Sequence, residues 1–111
     1  MRAMLVAYAR DLAISTVEAP DGREGLARFC ASGPFDAVVL DWDMPRMNGL
    51  ELLREIRRLR GSRDTKVLMV TAMNTSSYVS RALSEGADDY LMKPIDERMF
   101  AEKLCLLGLA P

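Results

Sequence analysis

A chain of 111 residues is long enough for one domain with one hydrophobic core. Half of it is hydrophobic, 28% is charged and the formal net charge is −1, an ordinary globular composition without the basic excess of a nucleic-acid binder. It contains no histidine, which rules out histidine-based catalysis and histidine metal sites.

The N-terminal "MRAMLVAYA" places one Arg before a short apolar stretch, and Ala7-Tyr8-Ala9 imitates a signal cleavage site. Arg10 and Asp11 then follow at helical spacing, which argues against a signal peptide. Met1, Met4, Leu5, Tyr8 and Leu12 recur on one face of a helix. "ISTVEA" (Ile14 to Ala19) is rich in β-branched residues and precedes Pro20-Asp21-Gly22, so it reads as a strand and a turn. Asp21 and Glu24 form a capping box for a helix to about Ala31, with Leu26, Phe29 and Cys30 on its apolar face. Gly33-Pro34 ends it. Ala37 to Leu40 is apolar throughout, as a parallel strand buried on both faces should be, and it runs into Asp41.

Asn48 and Glu51 make a second capping pair, opening a helix lined by Leu52, Leu53, Ile56 and Leu59 until Gly61. The arginines between Arg54 and Arg63 read as its solvated face. Lys66 to Val70 is another buried strand, ending at Thr71. Ser76 to Glu85 is helical, with Val79, Ala82 and Leu83 inward and Gly86 as its stop. Asp89 to Met92 is a short strand ending at Lys93-Pro94. Asp96 caps a last helix with Met99, Phe100, Leu104 and Leu107 inward. Cys30 and Cys105 read as small buried hydrophobes in a reducing compartment rather than as a disulfide. No run approaches the roughly 20 apolar residues of a membrane span.

Helices and strands alternate with short connections, which predicts an α/β domain with a parallel sheet. In such a sheet, chemistry gathers beyond the carboxyl ends of the strands. Asp41, Thr71 and Lys93 end successive strands, so a carboxylate, a hydroxyl and an ammonium face one edge. Singly, each is also what a strand end reaching water looks like. Together they suit phosphoryl transfer to a carboxylate, with Asp41 as nucleophile. Lys93 and Thr71 would stabilise the charge spread over the phosphoryl oxygens. The structural alternative for Lys93 is an ion pair with Asp41. Pro94 constrains the backbone after Lys93 in either isomer.

The stretches "EAPDGREGL", "VVLDWDMPRMNGLELLREIR", "VLMVTAM" and "ALSEGADDYLMKP" resemble the receiver domains of bacterial two-component response regulators, the chemotaxis-type single-domain fold. They cover most of the chain from Val17 to Pro94. The resemblance implies a flavodoxin-like doubly wound parallel sheet of order 2-1-3-4-5, with residues 1–111 as one receiver domain. It implies that Asp41 is the phosphoacceptor, Thr71 the switch hydroxyl and Lys93 the phosphate contact. It makes Tyr90 the aromatic that swings inward on activation; by itself, Tyr90 reads as a half-buried strand aromatic. Asp43 matches the position that gives Mg²⁺ a backbone carbonyl. Met44-Pro45 and Asn48-Gly49 match the loop and the helix start that follow. The implied protein is cytoplasmic and is not an enzyme beyond its own self-phosphorylation. Its implied partners are a sensor histidine kinase or phosphotransfer protein and a downstream protein target, without nucleic acid or membrane.

The family begins with a strand and an adjacent acidic pair, whereas this chain begins inside the first helix. The expectation is therefore an N-terminally truncated fold of four strands and five helices. A late start and a natural truncation fit equally. Within one monomer residues 3 to 8 cannot replace the strand, because a parallel crossover needs about a dozen residues before Ile14; a segment exchanged with a second chain, or direct pairing of the two neighbouring strands, would fill the gap. With Asp41 the one evident side-chain ligand, Mg²⁺ binding is expected to be weak or absent. Open strand edges predict a homodimer or higher species, joined through the first helix or the Ile14–Ala19 strand. The rival reading is a degenerate receiver, a phosphorylation-independent interaction or dimerisation module. A small flavin-binding protein of similar topology is disfavoured, because no phosphate-cradling Ser/Thr/Gly loop follows a strand.

Overall fold

A computed structural model describes residues 2–12, 16–19, 21–32, 35–41, 49–59, 64–71 and 76–109. In chain order the elements are α1 (Arg2–Asp11), α2 (Gly22–Ser32), β1 (Ala37–Asp41), α3 (Gly49–Arg58), β2 (Lys66–Thr71), α4 (Ser76–Ser84), β3 (Asp89–Met92) and α5 (Glu97–Leu106). The strands form one parallel sheet in the order β1-β2-β3. This is the α/β domain with a parallel sheet that the alternation of elements predicts, in the flavodoxin-like form that the resemblance implies.

The helix starts follow the sequence signals. Asp21 accepts the Glu24 backbone N–H at 2.9 Å, and Asp96 accepts that of Met99 at 2.8 Å. Each satisfies an N–H that lacks a partner inside the helix. Gly86 ends α4 at φ 115°, a left-handed conformation that favours glycine. Asn48, in the other capping pair, lies outside the described residues.

Side chains alternate across the strands and sort into two cores. Leu40, Val67 and Met69 pack with Phe29 of α2, Leu50, Leu52, Leu53 and Ile56 of α3 and Ala82 of α4. Leu68, Val70 and Leu91 pack on the other face with Leu5 and Ala9 of α1 and Phe100 and Leu104 of α5. Helices thus cover both faces, the arrangement that lets a strand be apolar throughout. β2 is the central strand, and its residues from Val67 to Thr71 are all buried.

Several sequence expectations need correction. The fourth strand is not formed in its described part. Thr16–Ala19 carry no strand pairing, and Val17 is 55% exposed; Ile14 and Ser15 lie outside the described residues. β-branched composition makes a strand only where a neighbour supplies ladder partners. Among the described residues β1 is paired with β2 alone. Both cysteines are free but exposed, not buried. Leu83 and Met99, expected inward, are exposed at 43% and 37%. The inward stripes of α4 and α5 are narrower than the periodicity suggests, carried by Ala82 in one and by Phe100 and Leu104 in the other. No described helix is long and apolar enough to cross a membrane.

Candidate functional site at the carboxyl edge of the sheet

The register fixes how the strand ends are staggered. Asp41 is level with Val70, and Thr71 is level with Met92. Lys93 follows Met92, and its backbone N–H still donates to the Thr71 carbonyl at 2.9 Å. β1 and β3 flank β2, so they stand two strand spacings apart, roughly 10 Å. The Lys93 side chain crosses that gap. Its Nζ donates to Asp41 Oδ2 at 2.9 Å, with the two side chains 30% and 24% exposed. The ammonium and the carboxylate are therefore in direct contact across the end of the central strand, and both remain reachable from solvent. The peptide bond before Pro94 is cis.

Thr71 is 3% exposed. By alternation it shares a face with Val67 and Met69, that of α2, α3 and α4. Asp41 has the parity of Val39, on the α1 and α5 face. The hydroxyl and the ion pair thus approach the edge from opposite faces of the sheet. Tyr90 packs against the core on that face and is level with Met69, two residues before Thr71 on β2. The ring is half-buried, and Lys103 Nζ lies over it, 5.3 Å from the centroid. The structure thus joins Asp41 with Lys93, and sets Thr71 on one face with Tyr90. Asp43, with Trp42, lies outside the described residues.

For Mg²⁺ the described residues offer little. Octahedral Mg²⁺ is usually held by one or two carboxylates with waters. Asp41 is engaged with Lys93, and among the described residues no group of three or more His, Cys, Asp or Glu could hold a metal ion. The described residues alone do not form a Mg²⁺ site.

The arginines of α3 depart from the sequence reading. Arg58 does face solvent, at 72% exposure. Arg57 does not: its side chain is 20% exposed. It donates through Nε to the Gly86 carbonyl, through Nη1 to the Thr65 carbonyl and through Nη2 to Asp88 Oδ2, each at 2.9 Å. The same Asp88 oxygen accepts the Val67 N–H at 2.7 Å. Thr65 Oγ1 donates to the Phe35 carbonyl at 2.6 Å, which brings in the approach to β1. Arg54 bonds Glu85 at 2.9 Å beside this network. That hydrogen bond holds the Glu85 carboxyl below its ordinary range and the Arg54 guanidinium above its own. A signal was available, since Arg57 stands four residues after Leu53 and seven after Leu50, both buried.

A family model described as "Response regulator receiver domain" matches residues 1–104. The chain is 37% identical over 105 residues to the chemotaxis protein CheY of Pseudomonas aeruginosa, covering 94% of this chain and 84% of that one. It is 37% identical over 105 residues to CheY-3 of Vibrio cholerae, covering 94% and 80%. It is 45% identical over 74 residues to the transcriptional regulatory protein QseB of Haemophilus influenzae, covering 67% of this chain and 32% of that protein. The solved structure of Vibrio cholerae CheY4 superposes with a TM-score of 0.89 at 27% identity, covering 96% of this chain and 88% of that one.

Proposed function

The chain belongs to the family of chemotaxis-type response regulator receiver domains, and from that premise we propose that Asp41 accepts a phosphoryl group and that residues 1–111, as one receiver domain, signal through protein contacts. Receiver domains serve two-component phosphorelays and are not conventional enzymes. The donor here is a phosphohistidine of a sensor kinase or phosphotransfer protein, or a small acyl phosphate, and the setting is the cytoplasm. A carboxylate oxygen of Asp41 attacks phosphorus, the bond to the donor breaks with its electron pair, and an aspartyl phosphate forms. The observation that carries this reading is the Lys93 ammonium 2.9 Å from Asp41 Oδ2 at the carboxyl edge of the sheet. It is poised to move from carboxylate to phosphoryl oxygen as negative charge develops there. Thr71 adds a hydroxyl donor, and Tyr90 follows Thr71 along their shared face.

Mg²⁺ typically serves receiver sites of this kind. Here we expect it to bind weakly, because Asp41 is already neutralised by Lys93. Trp42 adjoins Asp41 and reports on it by fluorescence. Little quenching at sub-millimolar Mg²⁺ is the expected result, whereas strong saturable quenching would show that other carboxylates complete the site. Labelling with an acyl phosphate tests the acceptor. Asp41→Asn abolishes labelling and Asp43→Asn does not; label surviving the first change would sink the assignment.

A second reading is a degenerate receiver that acts as an interaction or dimerisation module without phosphorylation, favoured by the want of a metal-holding carboxylate group among the described residues. Unlabelled wild-type protein that still binds its partner would select it. In either case we propose a homodimer or higher species, joined through the first helix or the Ile14–Ala19 segment, where Val17 is exposed. Light scattering at micromolar concentration checks this, and a monomer with concentration-independent melting would refute it.

A further inference from the structure

Asp89 and Tyr90 are consecutive, so their side chains point to opposite faces of β3. Tyr90 packs on the core shared with α3, while α5 covers the other face. Yet one side chain touches both. Lys103 of α5 donates to Asp89 Oδ1 at 3.0 Å and holds its Nζ 5.3 Å from the centroid of the Tyr90 ring. It does so by passing round the outer edge of β3, the end strand of the described sheet. Asp89 Oδ1 also accepts the Tyr90 backbone N–H at 2.8 Å, so one carboxylate oxygen ties the tyrosine backbone to the ammonium above its ring. Phe100 and Leu104, three residues before and one after Lys103, are buried and fix its point of attachment. An ordinary solvated pair on the same helix is different: Arg98 and Glu102 are 88% and 62% exposed, against 27% and 24% for Lys103 and Asp89.

We infer that Lys103 is a positioning residue for the Tyr90 switch, a latch that reaches around the edge of β3, anchors on Asp89 and holds the aromatic ring in its resting place. This rests on Tyr90 being the aromatic that moves when Asp41 is phosphorylated. A cation within about 6 Å of a ring centroid favours that ring position by roughly two- to fivefold at a partly exposed site. For the ring to swing, the ammonium must give up the ring face. Removing the charge of Lys103 therefore shifts the resting equilibrium toward the activated position without any phosphoryl group. A second cation of similar reach keeps the latch closed.

The test is NMR of tyrosine-ring-labelled protein, with the Tyr90 resonances assigned through Tyr90→Phe. Wild type, Lys103→Arg, Lys103→Met and Asp89→Asn are compared at rest and with beryllofluoride and saturating Mg²⁺ as the phosphoryl mimic. Melting midpoints and the amide spectra of α1 and α3 confirm that the variants are folded. At rest, Lys103→Met should move the Tyr90 ring signals toward their beryllofluoride positions, with about a two- to fivefold population change. Asp89→Asn should move them less in the same direction, and Lys103→Arg should leave them in place. A Tyr90 ring that responds to beryllofluoride but is unmoved by Lys103→Met overturns the latch alone. A ring that moves with Lys103→Met but in no variant responds to beryllofluoride overturns the Tyr90 reading and the latch with it. A shift equally large in Lys103→Arg overturns the latch too, because the cation would then not be its cause.

Discussion

The β2–β3 pair has an aspartate–base contact near each end, and the two contacts look alike by distance. Lys93 meets Asp41 at 2.9 Å at the carboxyl edge, and Arg57 meets Asp88 at 2.9 Å at the amino edge. Exposure does not separate them either, at 30% and 24% for the first pair and 20% and 29% for the second. What differs is the cation and the number of segments it joins. Arg57 spreads a planar fork over Thr65, Gly86 and Asp88, tying α3 to the start of β2 and to the turn before β3. Its charge is delocalised and its donors are fixed in direction. Lys93 brings a compact ammonium on a flexible stem to a single carboxylate oxygen. A lysine so placed can be redirected to a new anion; an arginine bonded to three acceptors among the described residues cannot turn without abandoning the others. On the proposed reading, one edge holds and the other changes.

The largest effect that would break or sharpen this contrast is on stability. Arg57→Ala should cost on the order of 2–4 kcal/mol, because it leaves buried carbonyls and a half-buried carboxylate without their donor. Lys93→Ala should cost about 1 kcal/mol or less, being a strand-end pair open to solvent. Denaturant titration of both variants measures the difference, and equal costs would erase the distinction between the edges. Function should divide the opposite way. Lys93→Ala is expected to retain the fold and lose the Tyr90 response to phosphorylation. Arg57→Ala should keep that response in whatever fraction remains folded.

A smaller effect is expected at Gly86, where φ is 115° and an added Cβ would lie 2.9 Å from Arg57 Cγ. Gly86→Ala should cost about 1–3 kcal/mol through backbone strain, relieved in part because the Arg57 stem can shift. Combining it with Arg57→Ala should then cost less than the sum, and strict additivity would argue against the contact. Thr65→Val should cost about 1 kcal/mol by removing the donor to the Phe35 carbonyl.

The pH dependence is the smallest effect and has two parts of opposite sign. Glu85 has a lowered pKa, caused first by its hydrogen bond to Arg54. Its contribution to stability is complete above the unfolded pKa and is lost as pH falls through the folded one. Glu97 has a raised pKa, caused first by a hydrogen bond with Asp11, then by burial and by the Asp11 charge. Its contribution is complete below the unfolded value and is lost as pH rises through the folded one. Arg54→Met should flatten the acid limb of a stability–pH curve, and Glu97→Gln should flatten the fall on the alkaline side of Glu97. Unchanged curves would mean that solvent screens both contacts.

Much of the fold was legible because its causes are local. Asp21 and Asp96 cap the helices they precede, Gly86 stops α4, and the apolar runs before Asp41, Thr71 and Lys93 became the three strands. Caps, stops and hydrophobic period act over a few residues, so a linear chain displays them. The strand from Ile14 failed in its described part for the converse reason. A strand depends on ladder partners that its own residues do not contain. Leu83 and Met99 misled because periodicity shows which residues share a face but not how wide a stripe the neighbours cover.

The sequence by itself determined the alternation of elements, and the parallel topology that follows from it puts three strand ends at one edge. Only the tertiary structure decided which side chains meet. Lys93 reaches Asp41 across the end of β2, 52 residues away in sequence. Arg57 turned out to be a half-buried clamp rather than a solvated charge, because Gly86 and Asp88 present acceptors to it about 30 positions further along the chain. Lys103 holds both faces of β3 because that strand stands at the edge of the described sheet. Each of these contacts depends on the position of an element remote in sequence. The spacing of residues along one segment carries no record of it.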